Sequence, residues 1–313
     1  MRSEQEDWFA RRTWHRTRLD VEALAGAKRG RRVSVVLPAL DEEATVGAIV
    51  AALVPLTVGP TPLVDELVVV DSGSTDDTCA VASAAGAHVV TRGEVLPGVE
   101  VRPGKGEVLW RSLAATSGDL VVFIDSDLVE FDAGFVPALL EPLLVEPGVE
   151  LVKGFYRRPL RLGAAEADSG GGRVTELTVR PLIAALRPGL AGIVQPLGGE
   201  YAATRELLES LPFAPGYGVE IGLLMDTERV RGLDAVAQVN LGVRKHRNRT
   251  VPELGVMSRQ IVSAMLERAE IGDAGGTLVQ FRQVAQEWVP VDHDVERRDR
   301  PPMRAVACAV DTR

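Results

Sequence analysis

The stretch Val121-Val122-Phe123-Ile124-Asp125-Ser126-Asp127 joins a continuously apolar run to two aspartates separated by one residue. The apolar run predicts a buried β-strand that ends where the aspartates begin. Side chains at alternate positions of an extended backbone project to the same side, so both carboxylates can face one ligand. Beyond the carboxyl end of a parallel strand, such a pair can hold a divalent cation against a diphosphate. The residues also fit a strand followed by an Asp-rich turn, and the other motifs must decide between the two interpretations.

Strand and helix patterns alternate on both sides of this stretch, from residue 32 onward. The predicted strands are mostly continuous apolar runs, which is typical of a parallel sheet covered by helices on both faces. We therefore expect an α/β fold of the doubly wound, Rossmann-like type. The predicted strands are 33–37, 66–70, 88–91, 120–125, 151–155, 199–202 and 235–243. The predicted helices are 44–53, 75–85, 106–115, 135–145, 175–186, 219–230 and 252–271.

Composition limits the classes of function. The chain has 313 residues and a formal net charge of −9, which argues against general binding to nucleic acid or to anionic membranes. No apolar run approaches the roughly 20 residues of a membrane span, and the charged N-terminus does not resemble a secretion signal. Cys79 and Cys308 lie far apart and outside any metal-ligand spacing. We expect free thiols and a cytoplasmic protein.

Two further strands end in polar segments that should lie beside the aspartates. The first strand continues into Pro38-Ala39-Leu40-Asp41-Glu42-Glu43 and the second into Asp71-Ser72-Gly73-Ser74-Thr75-Asp76. In the second segment, Gly73 permits a close backbone approach, and Ser74 or Thr75 can cap the next helix. Together the segments predict a cleft that suits a base and a ribose. Each segment alone also fits an ordinary strand-to-helix turn.

Two glycine-containing segments precede predicted helices and can bind anions. Lys105 lies between Gly104 and Gly106, where a flexible backbone, a helix dipole and an ammonium group favour a phosphate oxygen. The spacing of a Walker loop is absent. Gly172-Arg173-Val174-Thr175-Glu176 brings a guanidinium group, a hydroxyl group and backbone amides to the start of a helix, which suits an acidic acceptor. A solvated turn and a flexible linker are the alternatives.

Two later segments offer an acid and a cluster of cations. Glu220 lies in the first turn of a predicted helix, where it could orient or deprotonate a substrate hydroxyl or simply favour the helix dipole. The run Arg244-Lys245-His246-Arg247-Asn248-Arg249 follows a predicted strand, and a solvated basic loop is its usual explanation. His246 could instead complete a metal site with Asp127, a combination common for Mn²⁺ and tolerable for Mg²⁺.

The order and spacing of these motifs resemble the donor domain of the GT-A glycosyltransferases. The segments that carry this resemblance are PALDEE (38–43), DSGSTDD (71–77), GKG (104–106) and FIDSD (123–127). GGGRVTEL (170–177), LPFAPGYGVEIGLL (211–224) and NLGVRKHRNR (240–249) are similar to the retaining glucosyl-3-phosphoglycerate and mannosyl-3-phosphoglycerate synthases of actinobacteria. The resemblance covers about residues 32 to 280 and implies a GT-A fold.

The resemblance also implies a reaction. Glucose would pass from UDP-glucose to the C2 hydroxyl of 3-phospho-D-glycerate with retention of the α configuration. The implied cofactor is Mg²⁺, with Mn²⁺ or Co²⁺ as substitutes, and the implied assembly is a homodimer. We expect a front-face displacement in which the leaving phosphate helps to remove the acceptor proton.

Matched motif by motif, the resemblance assigns roles to single residues. Those expected to line the nucleoside site are Pro38, Ala39, Leu40, Glu42, Ser72 and Gly73. Those expected near the diphosphate, ribose or sugar are Lys105, Asp125, Ser126, Asp127, Tyr217, Glu220 and Arg244. Asp127 and His246 are the expected metal ligands, and the expected acceptor-binding residues are Arg173, Val174, Thr175 and Asn248. Glu220, Asp127 and Tyr217 are the candidate catalytic residues.

The same motifs predict four parts of the chain. Residues 1–30 would form an arm with a short helix capped by Asp20, and residues 31–160 a donor-binding subdomain. Residues 161–285 would bind the acceptor, and residues 286–313 would form a loosely ordered tail.

Three other functions remain open at this point. GDP-mannose or GDP-glucose could replace UDP-glucose with the same acceptor, although VRPGKGE (101–107) and WRSLAATSGD (110–119) are closer to the glucosyl enzymes. A nucleotidyltransferase would also use paired aspartates, but the Gly-rich loop and basic segment expected near its first strand are absent. A non-catalytic sugar-nucleotide sensor would bind the donor without releasing nucleoside diphosphate.

Overall fold

The computed structural model describes residues 2–15, 20–157, 160–162, 165–167, 172–243 and 250–310. Its strands in chain order are β1 (Thr13–His15), β2 (Val33–Ala39), β3 (Glu66–Asp71), β4 (His88–Thr91), β5 (Leu120–Phe123), β6 (Leu151–Arg157), β7 (Leu160–Leu162), β8 (Ala165–Ala167), β9 (Tyr201–Thr204), β10 (Val236–Val243), β11 (Thr277–Val284) and β12 (Glu287–Asp294). Its α-helices are α1 (Arg2–Arg12), α2 (Val21–Ala27), α3 (Val46–Leu53), α4 (Thr78–Ala84), α5 (Lys105–Ala115), α6 (Phe135–Val145), α7 (Arg180–Leu186), α8 (Arg205–Ser210), α9 (Val219–Arg231), α10 (Val251–Arg268) and α11 (Met303–Val310). A π-helical segment, Thr175–Val179, leads directly into α7.

An eight-stranded sheet organises the molecule, in the order β1-β10-β6-β9-β5-β2-β3-β4. Only β9 runs antiparallel to its neighbours, β5 and β6. The predicted mostly parallel sheet is therefore confirmed. Within the described part of the chain, no helix is long and apolar enough to cross a membrane.

Both faces of the sheet are buried, as the continuous apolar runs predict. In β2, Val35 and Leu37 belong to one hydrophobic core, whereas Val36 lies in a second core on the opposite side. This division follows from the alternation of side chains along a strand. Helices cover both faces and exclude water. Because β2 pairs in parallel with β3 and with β5, the carboxyl ends of these three strands lie at one common edge.

The helix predicted over residues 75–85 begins later, at Thr78. The residues before it are held by the preceding loop instead: the Thr75 amide donates to Asp41 Oδ1 at 2.8 Å, and the Asp77 amide donates to Glu43 Oε2 at 3.0 Å. Acidic side chains from the first strand end therefore satisfy amides that would have no partner within the first turn of a longer helix. These bonds join the two polar segments at the sheet edge.

The N-terminal arm is part of the fold. As predicted, Asp20 caps α2, since its side chain accepts hydrogen bonds from the amides of Glu22 and Ala23. The chain before it contributes β1, which pairs in parallel with β10, and Trp8, which is 3% exposed and donates to the Leu233 carbonyl. The sheet thus combines strands from the predicted arm, donor and acceptor parts.

The expectation of a loosely ordered tail after residue 286 is wrong for the described residues. β12 pairs with β11 in an antiparallel hairpin, and Arg300 forms a β-bridge with Phe213. Arg300 is buried because its guanidinium group binds Glu107 on α5, with Nε 2.5 Å from Oε2 and Nη2 2.8 Å from Oε1. Charge density alone suggested solvation, whereas the partner 193 residues earlier in the chain supplies an ion pair.

Glu107 is the centre of this buried network. It also accepts a hydrogen bond from Arg111 Nε at 2.6 Å, and Trp110 beside it donates to the Pro301 carbonyl at 2.8 Å. Burial alone would raise the pKa of Glu107, but the bonds from Arg300 and Arg111 outweigh it and lower that pKa. The segment 299–301 therefore holds the first turns of α5, where Lys105 lies.

We expect Arg300→Met to lower the free energy of unfolding by about 3 kcal/mol at pH 7, because it leaves a buried carboxylate with one fewer partner. A carboxylate with a lowered pKa stabilises the fold above its ordinary pKa of 4.5, and the effect is lost as the pH falls through the lowered value. The difference between variant and wild type should therefore shrink in acid. Urea unfolding at several pH values measures it, with the exposed Arg298→Met as control; equal stability of both variants would contradict the network.

Candidate active site

A cleft of about 460 Å³ lies at the carboxyl ends of β2, β3 and β5. It brings together four of the predicted motifs: the first strand end, the second strand end, the GKG turn and the paired aspartates. Its lining residues are Pro38, Ala39, Leu40, Glu42, Ser72, Gly73, Arg92, Pro103, Gly104, Lys105, Val108, Asp125, Ser126, Asp127, Gly216, Tyr217 and Gln260. Eleven of the residues predicted to contact the donor therefore lie on one surface. Nine of them follow from the sheet edge, whereas Lys105 comes from α5 and Tyr217 from the turn before α9.

Short polar contacts lock the paired aspartates to the first strand end. Ser126 Oγ donates to the Pro38 carbonyl at 2.7 Å, and Thr45 Oγ1 donates to the Ser126 carbonyl at 2.6 Å. Ser126 is buried, whereas Asp125 and Asp127 on either side of it are only half-buried. The middle residue thus anchors the turn and leaves the two carboxylates at the cleft.

Sequence analysis missed two polar residues of the cleft. Arg92 Nη1 donates to Ser72 Oγ at 3.2 Å and to the Arg102 carbonyl at 3.4 Å. Arg92 directly follows β4, so the end of that strand was a signal that could have been used. Gln260, on α10, accepts a hydrogen bond from the Tyr217 amide at 3.0 Å and holds that turn. No local pattern in the sequence distinguishes Gln260 from other polar residues of the helix.

Lys105 joins the donor cleft to α9. Its Nζ lies 2.5 Å from Asp125 Oδ1 and 2.6 Å from Glu220 Oε1. Burial works against the charge of this ammonium group, but attraction to Asp125 and Glu220 prevails and raises the pKa of Lys105 well above its usual value. The cluster is therefore one cation held between two acids, with Gly104 at φ 99° in a conformation that favours glycine.

A second layer of polar side chains lies beneath this cluster. Lys153, on β6, is 2% exposed, and its Nζ lies 4.5 Å from the centre of the Tyr201 ring. Burial lowers the pKa of Lys153 to about 8, partly offset by Glu220, whose charge raises it. Burial and the charge of Glu220 both raise the pKa of the Tyr201 hydroxyl group. Sequence analysis did not single out either residue.

A smaller pocket of about 140 Å³ adjoins the cleft. It is lined by Gly172, Thr175, Glu176, Arg180, Val194, Gln195, Leu197 and Gly198. Gly199, next in the chain, packs so closely on Asp125 that a Cβ atom there would lie 2.2 Å from Oδ2. The backbone of residues 198–199 therefore separates the two cavities, and we call it the Gly198–Gly199 wall.

The predicted acceptor-binding residues have different surroundings. Thr175 lines the small pocket, and Arg173 is half-buried just before it. The side chain of Val174 packs into the hydrophobic core, so only its backbone can face a ligand. Asn248 lies outside the described residues, as do Arg244 and His246.

Asp127 is the predicted metal ligand that the structure describes. Its carboxylate lines the cleft beside Asp125 and Ser126, and carboxylate oxygen is the ligand type that Mg²⁺ and Mn²⁺ prefer. The described residues contain no group of three or more His, Cys, Asp or Glu side chains that could hold a metal. The residue types fit a site that a diphosphate and water would complete.

Comparison with known proteins decides the family. The model of Glycosyl transferase family 2 matches residues 34–160. The glucosyl-3-phosphoglycerate synthase of Mycolicibacterium paratuberculosis is 59% identical over 307 residues, which cover 96% of this chain and 92% of that protein. The chain belongs to the glucosyl-3-phosphoglycerate synthases. The resemblance of its motifs to this family is thus confirmed, as is the expected glycosyltransferase fold.

Crystal structures of the Mycobacterium tuberculosis glucosyl-3-phosphoglycerate synthase superimpose closely. One, in complex with Mg²⁺ and UDP, has a TM-score of 0.87 and covers 94% of this chain and 99% of its own at 57% identity. Another, in complex with Mn²⁺, UDP-glucose and phosphoglyceric acid, has a TM-score of 0.86 and covers 94% and 98% at 57% identity. The family and the architecture therefore agree over nearly the whole length.

Proposed function

We propose that this glucosyl-3-phosphoglycerate synthase transfers glucose from UDP-glucose to the C2 hydroxyl group of 3-phosphoglycerate. The observation that carries the proposal is the Lys105–Asp125–Glu220 cluster, which lies between the nucleotide-sized cleft and the small pocket of Thr175. A sugar held at this junction would face both substrates. The solved relative that holds UDP-glucose and phosphoglyceric acid together supports this assignment over GDP-mannose or GDP-glucose.

The donor would lie along the carboxyl edge of the sheet. Pro38, Ala39, Leu40, Glu42, Ser72 and Gly73 would surround the nucleoside, as their place in the cleft allows. Gly73 has φ 98° and presents backbone rather than a side chain, so a planar base can approach closely. Asp125 and Ser126 would contact ribose and sugar, and Lys105 and Arg244 would offset the charge of the diphosphate.

A divalent cation, Mg²⁺ or Mn²⁺, would be held by Asp127 together with His246. When bound, it supplies positive charge that stabilises the departing diphosphate. Asp127 contributes the carboxylate on the cleft wall, and the half-buried position limits competing water. Nearby cations of the chain add to the same stabilisation.

The acceptor would occupy the small pocket. Thr175 would donate a hydrogen bond, and Arg173 and Asn248 would bind the negative charges of phosphoglycerate, together with the Val174 backbone. The volume of about 140 Å³ is compatible with a phosphorylated three-carbon acid. Selection of a small acidic acceptor follows from this combination of size and charge.

Retention of configuration follows from an approach on one face. The acceptor hydroxyl group would meet the sugar on the side from which the diphosphate leaves, and a leaving phosphate oxygen would take the hydroxyl proton. Glu220 is buried and bound to Lys105, so it would act on the sugar through Lys105 rather than attack it. Tyr217, whose backbone amide is fixed by Gln260, would close the sugar site.

The direct test supplies 3-phosphoglycerate, Mg²⁺ or Mn²⁺, and each of UDP-glucose, GDP-glucose and GDP-mannose. We expect UDP release with UDP-glucose only, and an α-linked product by proton NMR. Binding of UDP-glucose without release would favour a sensor. A β-linked product or a trapped glycosyl-enzyme would overturn the front-face displacement.

We further propose that the protein is a homodimer that works in the cytoplasm, where both charged substrates are available. The β11–β12 hairpin supports the dimer because it exposes large apolar side chains, with Phe281 65% and Trp288 67% accessible. A groove of about 400 Å³ runs between the hairpin and α10 and is lined by Tyr217, which also lines the donor cleft. Exposed apolar surface of this kind usually marks an interface.

Phe281→Glu should therefore convert a dimer into a monomer, because it introduces a charge into the buried centre of the interface. Sedimentation velocity measures the mass. Val58→Glu is the matched control, because Val58 is also an exposed apolar residue and lies far from Phe281 in the sequence. A wild-type protein that is already monomeric, or a Phe281→Glu variant that remains dimeric, would contradict the proposed interface.

A further inference from the structure

Lys153 is a buried cation that no role described so far requires. It belongs to the largest fully buried side chains of the described protein, although its ammonium group must lose most of its hydration there. Its register partner on β9 is Tyr201 and its partner on β10 is Gln238. A lysine at the centre of a sheet is costly for stability, so its presence there points to a use at the site above it.

The ammonium group of Lys153 holds the wall between the two cavities. Nζ donates to the Gly198 carbonyl at 2.6 Å. On the same strand, the Gly154 amide donates to the Glu200 carbonyl at 2.8 Å. These two bonds fix the backbone on either side of Gly199, the residue that touches Asp125.

The backbone of the Gly198–Gly199 wall is tightly packed against neighbouring backbone. A Cβ atom on Gly198 would lie 2.8 Å from the Gly154 carbonyl oxygen, and one on Gly154 would lie 2.8 Å from the Glu200 carbonyl oxygen. A shift of the Gly198 carbonyl would therefore move Gly199, and with it the carboxylate of Asp125 that Lys105 binds. The position of Asp125 depends on the bond made by Lys153.

The charged groups around Lys153 come from several neighbouring elements, whereas β10 places the neutral Gln238 opposite it. Glu220 on α9, Asp125 after β5 and Glu200 before β9 favour its proton, whereas Lys105 on α5 and burial disfavour it. Tyr201 presents its ring to Nζ, and its buried hydroxyl group has no hydrogen-bond partner among the described residues. Three acids thus share two lysines beneath the sugar site.

We propose that Lys153 is a positioning residue for glucosyl transfer, which fixes the Gly198–Gly199 wall against Asp125 and supplies the second positive charge beneath the sugar. The inference rests on the proposed function, since it concerns the site where donor and acceptor meet. It assigns Lys153 no contact with either substrate. Its effect is therefore on turnover and not on binding of the nucleotide.

Three measurements on the full-length protein with UDP-glucose, 3-phosphoglycerate and Mg²⁺ test this role. Lys153→Met removes both the charge and the hydrogen bond, whereas Lys153→Gln retains a donor for the Gly198 carbonyl without the charge. We expect kcat to fall about 100-fold in Lys153→Met and about 10-fold in Lys153→Gln, as misplacement of a reacting group predicts. The Kd for UDP with Mg²⁺ should stay within about twofold of wild type.

The pH profile separates positioning by charge from a merely structural role. Because the pKa of Lys153 is lowered to about 8, the wild-type kcat should fall above that pH as the ammonium group loses its proton. Lys153→Gln should lack this alkaline limb. Retention of the limb in Lys153→Gln, or a wild-type kcat in both variants, would overturn the proposal.

Failure of the proposed function can be distinguished from failure of the proposal on Lys153. If wild-type protein binds UDP-glucose but transfers nothing to phosphoglycerate, the proposed function fails. In that case the role of Lys153 is tested on the hydrolysis of UDP-glucose by water at the same site, with the rate measured against pH for wild type and Lys153→Gln. Thermal unfolding with UDP and Mg²⁺ shows whether each variant is folded. If Lys153→Met does not fold, the comparison of wild type with Lys153→Gln, whose side chain is closer in shape to lysine, tests the proposal.

Discussion

Asp127→Ala is expected to reduce metal-dependent release of UDP by about 1000-fold or more. The carboxylate lies on the cleft wall next to Asp125, and its removal deprives the divalent cation of its proposed oxygen ligand. Loss of this charge stabilisation at a leaving diphosphate costs several kcal/mol, which corresponds to a factor of this size. The fold should be unaffected, because Ser126 rather than Asp127 anchors the turn.

Steady-state assays across a range of Mg²⁺ and Mn²⁺ concentrations measure the effect. Asp77→Ala is a suitable control, since Asp77 is an exposed acid near the same sheet edge that does not line the cleft. Normal turnover of Asp127→Ala at low metal concentration would remove Asp127 from the metal site. Recovery only at high metal concentration would agree with a weakened site.

Lys105→Met should reduce kcat by at least about 100-fold and also destabilise the protein. The substitution leaves Asp125 and Glu220 close together without the ammonium group that both contact. Breaking a buried ion pair by removing one partner costs about 3 to 5 kcal/mol. Repulsion between the two acids would also open the sugar site, so activity and stability should fall together.

Lys28→Met is the matched control for this variant. Lys28 is another buried lysine, 2.5 Å from Asp65 Oδ2, but Asp65 lies at the opposite edge of the sheet, before β3. Lys28→Met should lower the free energy of unfolding and leave kcat nearly unchanged. Urea unfolding and turnover on both variants separate the two effects; equal kcat in both would contradict the placement of Lys105 at the active site.

The fold and the donor cleft were largely predictable because they follow from local patterns. Buried strands are recognisable in the sequence as apolar runs. Because the strands are parallel, the polar residues that follow them lie at one edge of the sheet. The direction of β9 was not predictable, since its four residues carry no sign of being antiparallel. Its place between β5 and β6 depends on contacts that only the folded chain makes.

Lys153 and Arg300 show why the rest of the site escaped sequence analysis. Lys153 is a single cation in an apolar strand, and Arg300 is one of three arginines in a charged run, yet each acquires its role from a distant partner: Gly198 for Lys153 and Glu107 for Arg300. The spacing of residues along the chain does not predict such pairs. Arg173 was recognisable only because glycines and a helix start surround it.

The bond between Arg300 and Glu107 has a consequence for biosynthesis on the ribosome. Most residues that line the donor cleft lie at positions 38–127, but the segment 299–301, which holds the start of α5, is translated much later. A nascent chain that has reached β10 can complete its sheet, yet Lys105 still lacks the support of residues 299–301. Chains released before residue 299 would then contain all strands of the sheet without this support for Lys105, and we expect them to be inactive.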